Sequence, residues 1–234
     1  MAKRESAPIH FEKLYCERGI EHIGGIDEVG RGAYAGPVAV GVVVPPRIKE
    51  EELLQEPFSL VNDSKLLTPK KREIVAKWLL TWLVDYGVGF ASPQECDEFG
   101  MTKAISLAGH RAMEKLKVIP ETLLTDGNRP LLGLECEKPI VKGDQLSFSI
   151  ASASILAKVT RDSLLCSLSV DFPAYDFDRN KGYNSKAHQI ALLGYGPSSI
   201  HRISWGFIND LPWHYYFKSS RSARPCTGSV NVLQ

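Results

Sequence analysis

Four carboxylates carry the strongest chemical signal in the chain. Asp27 and Glu28 are adjacent and follow Gly24-Gly25-Ile26, Asp126 ends the apolar run Leu123-Leu124-Thr125, and Asp144 follows Pro139-Ile140-Val141 across Lys142-Gly143. Each lies at or just beyond the carboxyl end of an expected strand, where open α/β sheets place their ligands. Neighbouring side chains on a strand point to opposite faces. Asp27 and Glu28 are therefore expected to share a site only if the chain turns there, and Val29-Gly30-Arg31-Gly32 supplies the glycines for a turn. Four converging carboxylates cannot all stay ionised unless cations are present. Oxygen donors without His or Cys favour Mg²⁺ or Mn²⁺ over Zn²⁺. Taken singly, each acid reads as a solvated turn residue or a helix cap; their joint placement at strand ends is what points to metal.

Three further segments bear on a ligand. Gly30-Arg31-Gly32-Ala33-Tyr34-Ala35-Gly36 is not the dinucleotide pattern, because Ala35 stands at the third glycine and a strand follows instead of a helix. Its bare backbone suits close approach to a sugar–phosphate chain; the plainer reading is a tight connection between strands. Ser64 and Lys65, in Asn62-Asp63-Ser64-Lys65, suit phosphate, or else form a surface turn. Lys181-Gly182-Tyr183-Asn184-Ser185-Lys186-Ala187-His188 sets an aromatic among bases next to a helix start, a combination that stacks on a sugar or base beside phosphates.

The elements that must position these residues are legible in outline. Val38 to Val44 reads as a strand stopped by Pro45-Pro46. Thr68-Pro69 opens a helix with an apolar stripe through Ile74, Val75, Trp78, Leu79, Trp82 and Leu83, expected to close at Gly87. Val88 to Ala91 reads as a strand, and Ser92-Pro93-Gln94-Glu95 as a capping box before a short helix. Helices are expected from about Thr102 to Lys117, from Ile150 to about Val170, and from Ser185 to Leu193. The first turns of the Ile150 helix are rich in Ala and Ser, so they suit close approach to another backbone. Strands first, then alternating helices and strands, argue for a three-layer α/β or α+β domain with a mixed sheet.

At 234 residues with 24% charged side chains, the chain is long enough for a full core without staples. From Arg179 onward seven bases (Arg179, Lys181, Lys186, Arg202, Lys218, Arg221, Arg224) face Asp210 alone, a net +6 within a total of +1. That asymmetry suits a polyanionic partner. The 5 cysteines form no C-x-x-C pair, which excludes a zinc knuckle or a secreted disulfide framework. No apolar run is long enough for a membrane span, and the first 12 residues lack a signal-peptide core. A reducing cytoplasmic setting, no membrane contact and a monomer are the expectation.

Read together, these segments resemble the ribonuclease HII family. Gly25-Ile26-Asp27-Glu28-Val29-Gly30-Arg31-Gly32 with Ala35-Gly36-Pro37-Val38 is similar to its opening signature, and Asp63-Ser64-Lys65 to its D-S-K element. Thr125-Asp126-Gly127-Asn128 and Val141-Lys142-Gly143-Asp144 resemble its third and fourth acid elements. Ala151 to Asp162 is similar to its most recognisable helix, and Lys181-Gly182-Tyr183 with Lys186-Ala187-His188 to its hybrid-reading loop. Ala33 and Tyr34 depart from the proline and apolar residue usual after G-R-G.

The resemblance implies an RNase H-like three-layer fold with a central mixed sheet and a C-terminal helical extension. The residue pattern adds a polar lead-in over residues 1–18 and a flexible tail over 219–234, with the catalytic domain over 19–218 between them. The implied activity is endonucleolytic cutting of the RNA strand of RNA–DNA hybrids, and of duplex DNA 5′ to embedded ribonucleotides, leaving 5′-phosphate and 3′-hydroxyl. Asp27, Glu28, Asp126 and Asp144 carry over as ligands of two Mg²⁺ or Mn²⁺ ions. Gly30, Arg31 and Gly32 carry over as the backbone sensor of the ribose 2′-OH, and Tyr183 as the residue stacking on the sugar at the RNA-to-DNA junction. Ser64 and Lys65 fit phosphate contacts, with Lys158 and Lys181 as further candidates; Asp162 is read as structural. No sliding-clamp contact is assigned. The competing readings are an RNase H-like nuclease or integrase acting on DNA, and a nucleic-acid-binding module with vestigial acids.

Overall fold

The computed structural model describes residues 6–213. The expected tail over 219–234, and three of the seven C-terminal bases, lie outside the described residues. The sheet begins where β-branched residues crowd. Strand β2 (Val38–Val44) is buried along its whole length, so it stands at the interior of the sheet with both faces covered. It pairs antiparallel with β1 (Ile23–Val29), Gly25 opposite Val43 and Val29 opposite Ala39. On its other side it pairs antiparallel with β3 (Asp85–Ala91). Strands β4 (Thr122–Asp126) and β5 (Glu137–Ile140) extend the sheet parallel to β1, giving the order β3-β2-β1-β4-β5.

Period-two alternation sorts the two faces. Val38, Val40, Val42, Val44 and Ile26 meet Ala104, Ala108 and Ala112 of one helix, while Val43 meets Val75, Leu79, Ala151 and Ile155 of two others. In chain order the helices are α1 (His10–Glu17), α2 (Pro69–Trp82), α3 (Pro93–Phe99), α4 (Met101–Met113), α5 (Gly143–Leu146), α6 (Phe148–Leu168), α7 (Phe177–Asn180) and α8 (Lys186–Tyr195). Helix α4 covers one face, and α6 with α2 covers the other, so the layers are helix, mixed sheet, helix. A further cluster of Leu165, Tyr175, Phe177, Leu192, Ile208 and Leu211 packs the C-terminal extension onto the end of α6.

Helix α6 lies unusually close to the sheet. A Cβ on Gly25 would stand 2.2 Å from the Ser149 carbonyl carbon. The small residues of its first turns permit that approach, as their composition suggested. The lead-in is tied to the same place. Glu12 of α1 is buried and accepts from Ser147 Oγ at 2.6 Å and the Ser149 amide at 2.8 Å. Burial pushes its carboxyl up, against the pull of these bonds.

Several boundaries differ from expectation. Helix α2 keeps its Thr68 cap but ends at Trp82, and Gly87 lies inside β3. Leu83 turns extended to carry the chain into the strand, and a Cβ on Gly87 would meet the Ala112 carbonyl of α4 at 2.2 Å. Helix α4 stops at Met113, because the amides of Lys117 and Val118 are taken by the Asp85 carboxylate. Asp144 sits on α5, two residues after Lys142, which takes a left-handed conformation (φ 58°).

The Ser92 capping box forms as read, and Glu95 also pairs with Arg111 at 2.7 Å. The Arg111 hydrogen bond, then that of the Ser92 amide, holds the Glu95 carboxyl at about 2 against an ordinary 4.5. A depressed carboxyl stabilises the fold fully above its unfolded value, and that contribution is lost as pH falls through the folded one. Glu95→Gln is expected to lose about 1 kcal/mol at neutral pH, or about 2–4 °C in Tm. The gap to wild type should close as the pH is taken from 4.5 to about 2. Thermal melts across that range check it; a gap independent of pH would contradict it.

Candidate active site

The carboxyl ends of β1 and β4 open into a cleft of about 420 Å³. Asp27, Glu28, Gly30, Arg31, Gly32, Ser64, Lys65, Asp126, Lys158 and Tyr183 line it, together with Val29 and Ser154. The turn expected at the glycines after the acids is present. Strand β1 runs on to Val29, with Asp27 opposite Gly41 and Glu28 opposite Val40, and the chain turns only at Gly30 (φ 91°). Both acids border the same cleft, at the carboxyl end of the central strand β1.

The fourth acid, Asp144, does not line this cleft but stands beside two residues that do, Lys65 and Asp126. Gly143 N–H donates to Asp126 Oδ1 at 2.6 Å, which draws the start of α5 against β4. Lys65 Nζ stands 3.9 Å from Asp144 Oδ2. Burial drives the Asp27 carboxyl well above the ordinary carboxylate range, and the charges of Glu28 and Asp126 add to the rise. Burial also raises Glu28, with Asp126 adding and Arg31, 3.6 Å away, opposing. Burial raises Asp144, helped by Asp126 and Asp63 and opposed by Lys65. Partial burial works against the Lys65 ammonium, yet Asp63, Asp144, Asp27 and Asp126 together raise its pKa. These shifts describe one electrostatically coupled set.

Divalent ions fit this set by donor chemistry. Its donors are carboxylate oxygens alone, and their accumulated negative charge is what a hard dication would neutralise. Among the described residues no three acids, histidines or cysteines already stand at the spacing of a closed ion shell. Asp27, Glu28 and Asp126 border an open cleft, which suits an ion that completes its shell with water and phosphate oxygens.

Two arginines whose roles the sequence does not reveal hold the loops around the cleft. Arg161 is fully buried on α6 and donates to three carbonyls: Pro37 at 2.8 Å, Lys181 at 2.9 Å and Ala35 at 3.0 Å. It also fills the space where a Gly30 Cβ would lie, at 2.2 Å from Nε. Arg202, read from charge as a phosphate-facing base, is instead fully buried. It donates to the carbonyls of Arg31 at 3.0 Å and Gly36 at 3.0 Å, and burial lowers its pKa to about 10. Charge counting missed this because backbone carbonyls satisfy a guanidinium without any acid in the sequence. The Ala33-Tyr34 departure is absorbed the same way: Tyr34 stacks on Phe207 at 4.0 Å, and its carbonyl accepts from the Arg202 amide. Nothing lies within 4 Å of where a Gly32 Cβ would stand, so that backbone faces open space.

The remaining candidates separate. Lys158 and Arg161 lie 5.1 and 5.3 Å from the Tyr183 ring centroid, a cation on each approach. Ser64 is buried and bonded to Ser154 Oγ at 3.0 Å, and Ser154 also bonds Asp27. Asp162 accepts from Lys158 at 2.9 Å and faces Arg72 at 3.8 Å. Arg72 in turn holds the Ser64 and Leu67 carbonyls, so Asp162 braces the turn carrying Ser64 and Lys65. Lys181 is not brought into the cleft: its ammonium donates to the Asp178 carbonyl and contacts Cys166 Sγ.

A mixed five-stranded sheet in this order, with carboxylates at the ends of β1 and β4, defines an RNase H-like hydrolase. The sequence profile described as Ribonuclease HII matches residues 24–207. The chain belongs to the ribonuclease HII family: it is a ribonuclease H, an endoribonuclease acting on RNA–DNA hybrids. It is 40% identical over 210 residues to a Ribonuclease HII of Streptomyces avermitilis, covering 89% of this chain and 87% of that one. It is 42% identical to its counterpart in Streptomyces coelicolor, with the same coverage. The crystal structure of the ribonuclease H2 from Pyrococcus horikoshii superposes with a TM-score of 0.68 at 28% identity, covering 84% of this chain and 99% of that one. Among the described residues no helix is long and apolar enough to cross a membrane.

Removing a buried guanidinium that satisfies three carbonyls strands those acceptors. Arg161→Met is expected to lose about 3 kcal/mol of stability, measured by urea unfolding. A loss within about 0.5 kcal/mol, the range of an ordinary surface change, would show that Arg161 does not hold the loops.

Proposed function

We propose that the chain cuts duplex DNA on the 5′ side of embedded ribonucleotides, as well as the RNA strand of hybrids, leaving 5′-phosphate and 3′-hydroxyl ends. The observation that carries this reading is a single cleft bordered by carboxylates, an open glycine backbone and an aromatic ring flanked by cations. Asp27, Glu28, Asp126 and Asp144 would hold two divalent ions, Mg²⁺ or Mn²⁺. Such ions, when bound, supply activation of a water and stabilisation of the leaving 3′-oxygen in an in-line displacement.

The chain's own groups do the selecting. RNA differs from DNA by its 2′-hydroxyl, which both donates and accepts. Backbone groups at Gly30–Gly32 can meet that hydroxyl with no side chain between; Arg202 bonds the Arg31 carbonyl and Arg161 packs against Gly30. Tyr183 offers its ring to the sugar at the junction where ribose gives way to deoxyribose. Lys65, 79% exposed in its side chain, and Lys158 meet phosphates. A DNA-cutting relative would have no use for a sugar-reading loop, and a purely binding module would repel the backbone with its uncompensated acids.

Cleavage of a duplex carrying one ribonucleotide, in Mg²⁺ or Mn²⁺, tests both halves. Asp126→Asn is expected to lose at least about a thousandfold in kcat, as removal of a principal electrostatic group does; near-normal cutting would refute the metal assignment. Tyr183→Ala should lose about tenfold at the junction, the value of one stacked sugar or base, with its Tm kept. Unchanged junction cleavage would remove the stacking role.

A further inference from the structure

Two buried histidines outside the acid set form a contact that the mechanism does not use. His188 on α8 and His201 are 0% and 2% exposed, and their Nε2 atoms stand 2.9 Å apart. Such a contact needs one nitrogen to carry a proton and the other to lack it. The outer bonds decide which. The Ser198 amide donates to His201 Nδ1 at 2.9 Å. Ser198 Oγ, 2.8 Å from the same nitrogen, can donate or accept, but an amide N–H cannot accept, so this nitrogen is bare, the hydroxyl donates to it, and the His201 proton sits on Nε2. At the other end, His188 Nδ1 lies 2.9 Å from the Tyr183 carbonyl oxygen. A carbonyl cannot donate, so His188 carries its proton on Nδ1 and accepts at Nε2.

Both ends therefore demand the same direction: Ser198 to His201, His201 to His188, His188 to Tyr183. An additional proton on either ring would point at an existing donor. The surroundings agree. Tyr175 and Phe177 pack on both rings and Tyr34 on His188. Two cations stand nearby, Arg161 beside Tyr183 and Arg202 next to His201 in the chain. Asp97 of α3, an acid on this side, is taken by the amides of Ile203 and Ser204, while Asp176 and Asp178 flank Phe177 in the chain and Asp210 lines a pocket with Tyr34. Burial lowers the His188 pKa. Burial, then His188, takes His201 down to about 3.

The chain of bonds spans two recognition elements. The His201 segment pairs with the glycine-rich loop through the Ala35 bridge and the Gly36 amide, which donates to the Ile200 carbonyl at 2.8 Å. Tyr34 and Ala35 amides donate in turn to Gly182, next to Tyr183. We propose that the His188–His201 pair is a positioning strut that fixes the Tyr183 ring relative to the Gly30–Gly32 backbone, and so sets the distance between sugar stacking and 2′-hydroxyl recognition. The strut rests on the reading above, in which those two elements face the junction.

Two measurements test it. Long-range ¹H–¹⁵N spectra of the histidines at about pH 5.5, where a free imidazole is mostly charged, should show His201 protonated on Nε2 and His188 on Nδ1. An imidazolium or the opposite tautomer at either ring overturns the strut. The second is a cleavage cycle with His201→Phe, Tyr183→Ala and the double variant, on a single-ribonucleotide duplex and on a uniform hybrid. His201→Phe should lose about tenfold in kcat/KM at the junction, less on the hybrid, and nothing further once Tyr183 is Ala. His201→Gln, which keeps a donor toward His188, should recover most of the loss and decides the matter if the Phe variant does not fold. Equal losses on both substrates, or in both backgrounds, overturn positioning through Tyr183. A silent Tyr183→Ala would instead overturn the stacking reading and the strut's recognition role with it, leaving the tautomer measurement to stand alone.

Discussion

Carboxylates gathered from β1, β4 and α5 repel one another in and beside a partly desolvated cleft, and much of the surrounding structure follows from that repulsion. Burial raises Asp27, Glu28 and Asp144, and the neighbouring charges raise them further. The fold moderates the conflict without removing it. Arg31 leans on Glu28, Lys65 faces Asp144, Ser154 bonds Asp27, and the Gly143 amide bonds Asp126. Lys65 is held on a turn braced by Arg72 and Asp162, far in sequence from the acids it faces. Charge left over after these contacts is what a dication and a phosphate backbone together would satisfy.

A second constraint ties the reading surfaces to that cleft. Guanidinium groups normally seek water or acids, and burying one is tolerated only when its donors are met. Arg161 and Arg202 meet theirs on loop carbonyls. The glycine-rich loop, the Lys181 backbone and the strap at Arg202 are thereby joined into one wall. The same wall carries Tyr183 and the histidine pair. The C-terminal extension thus contributes Tyr183 to the cleft, and its cluster around Tyr175 and Phe177 anchors it to α6.

The acids were legible because each ends an apolar run beside glycine, a pattern residue types record directly. Strand β2 was legible from its β-branched run, and the Thr68 and Ser92 caps from residue type at fixed offsets. The unbroken course of β1 through Glu28 was not, because glycines after a strand do not say at which residue the turn begins. The end of α2 was misplaced at Gly87, since a glycine that admits a neighbouring helix looks the same as one that stops its own. Arg161, Arg202, His188 and His201 were illegible as a group. Their partners are backbone carbonyls, amides and each other, none of which leaves a mark in composition. Arg202 even counted toward a surface charge that the fold withdraws from solvent.

The charge conflict can be measured without reference to turnover. Thermal melts of wild type and Asp126→Asn, with and without Mg²⁺, compare a repelling set with one relieved by a neutral isostere that keeps an acceptor for the Gly143 amide. The expected result is that Mg²⁺ raises the wild-type Tm, as any ligand of the folded state does. The metal-free variant should already melt higher than wild type and gain little from Mg²⁺. A variant that melts lower than wild type, or that keeps the full Mg²⁺ increment, would contradict a cleft built around mutually repelling acids.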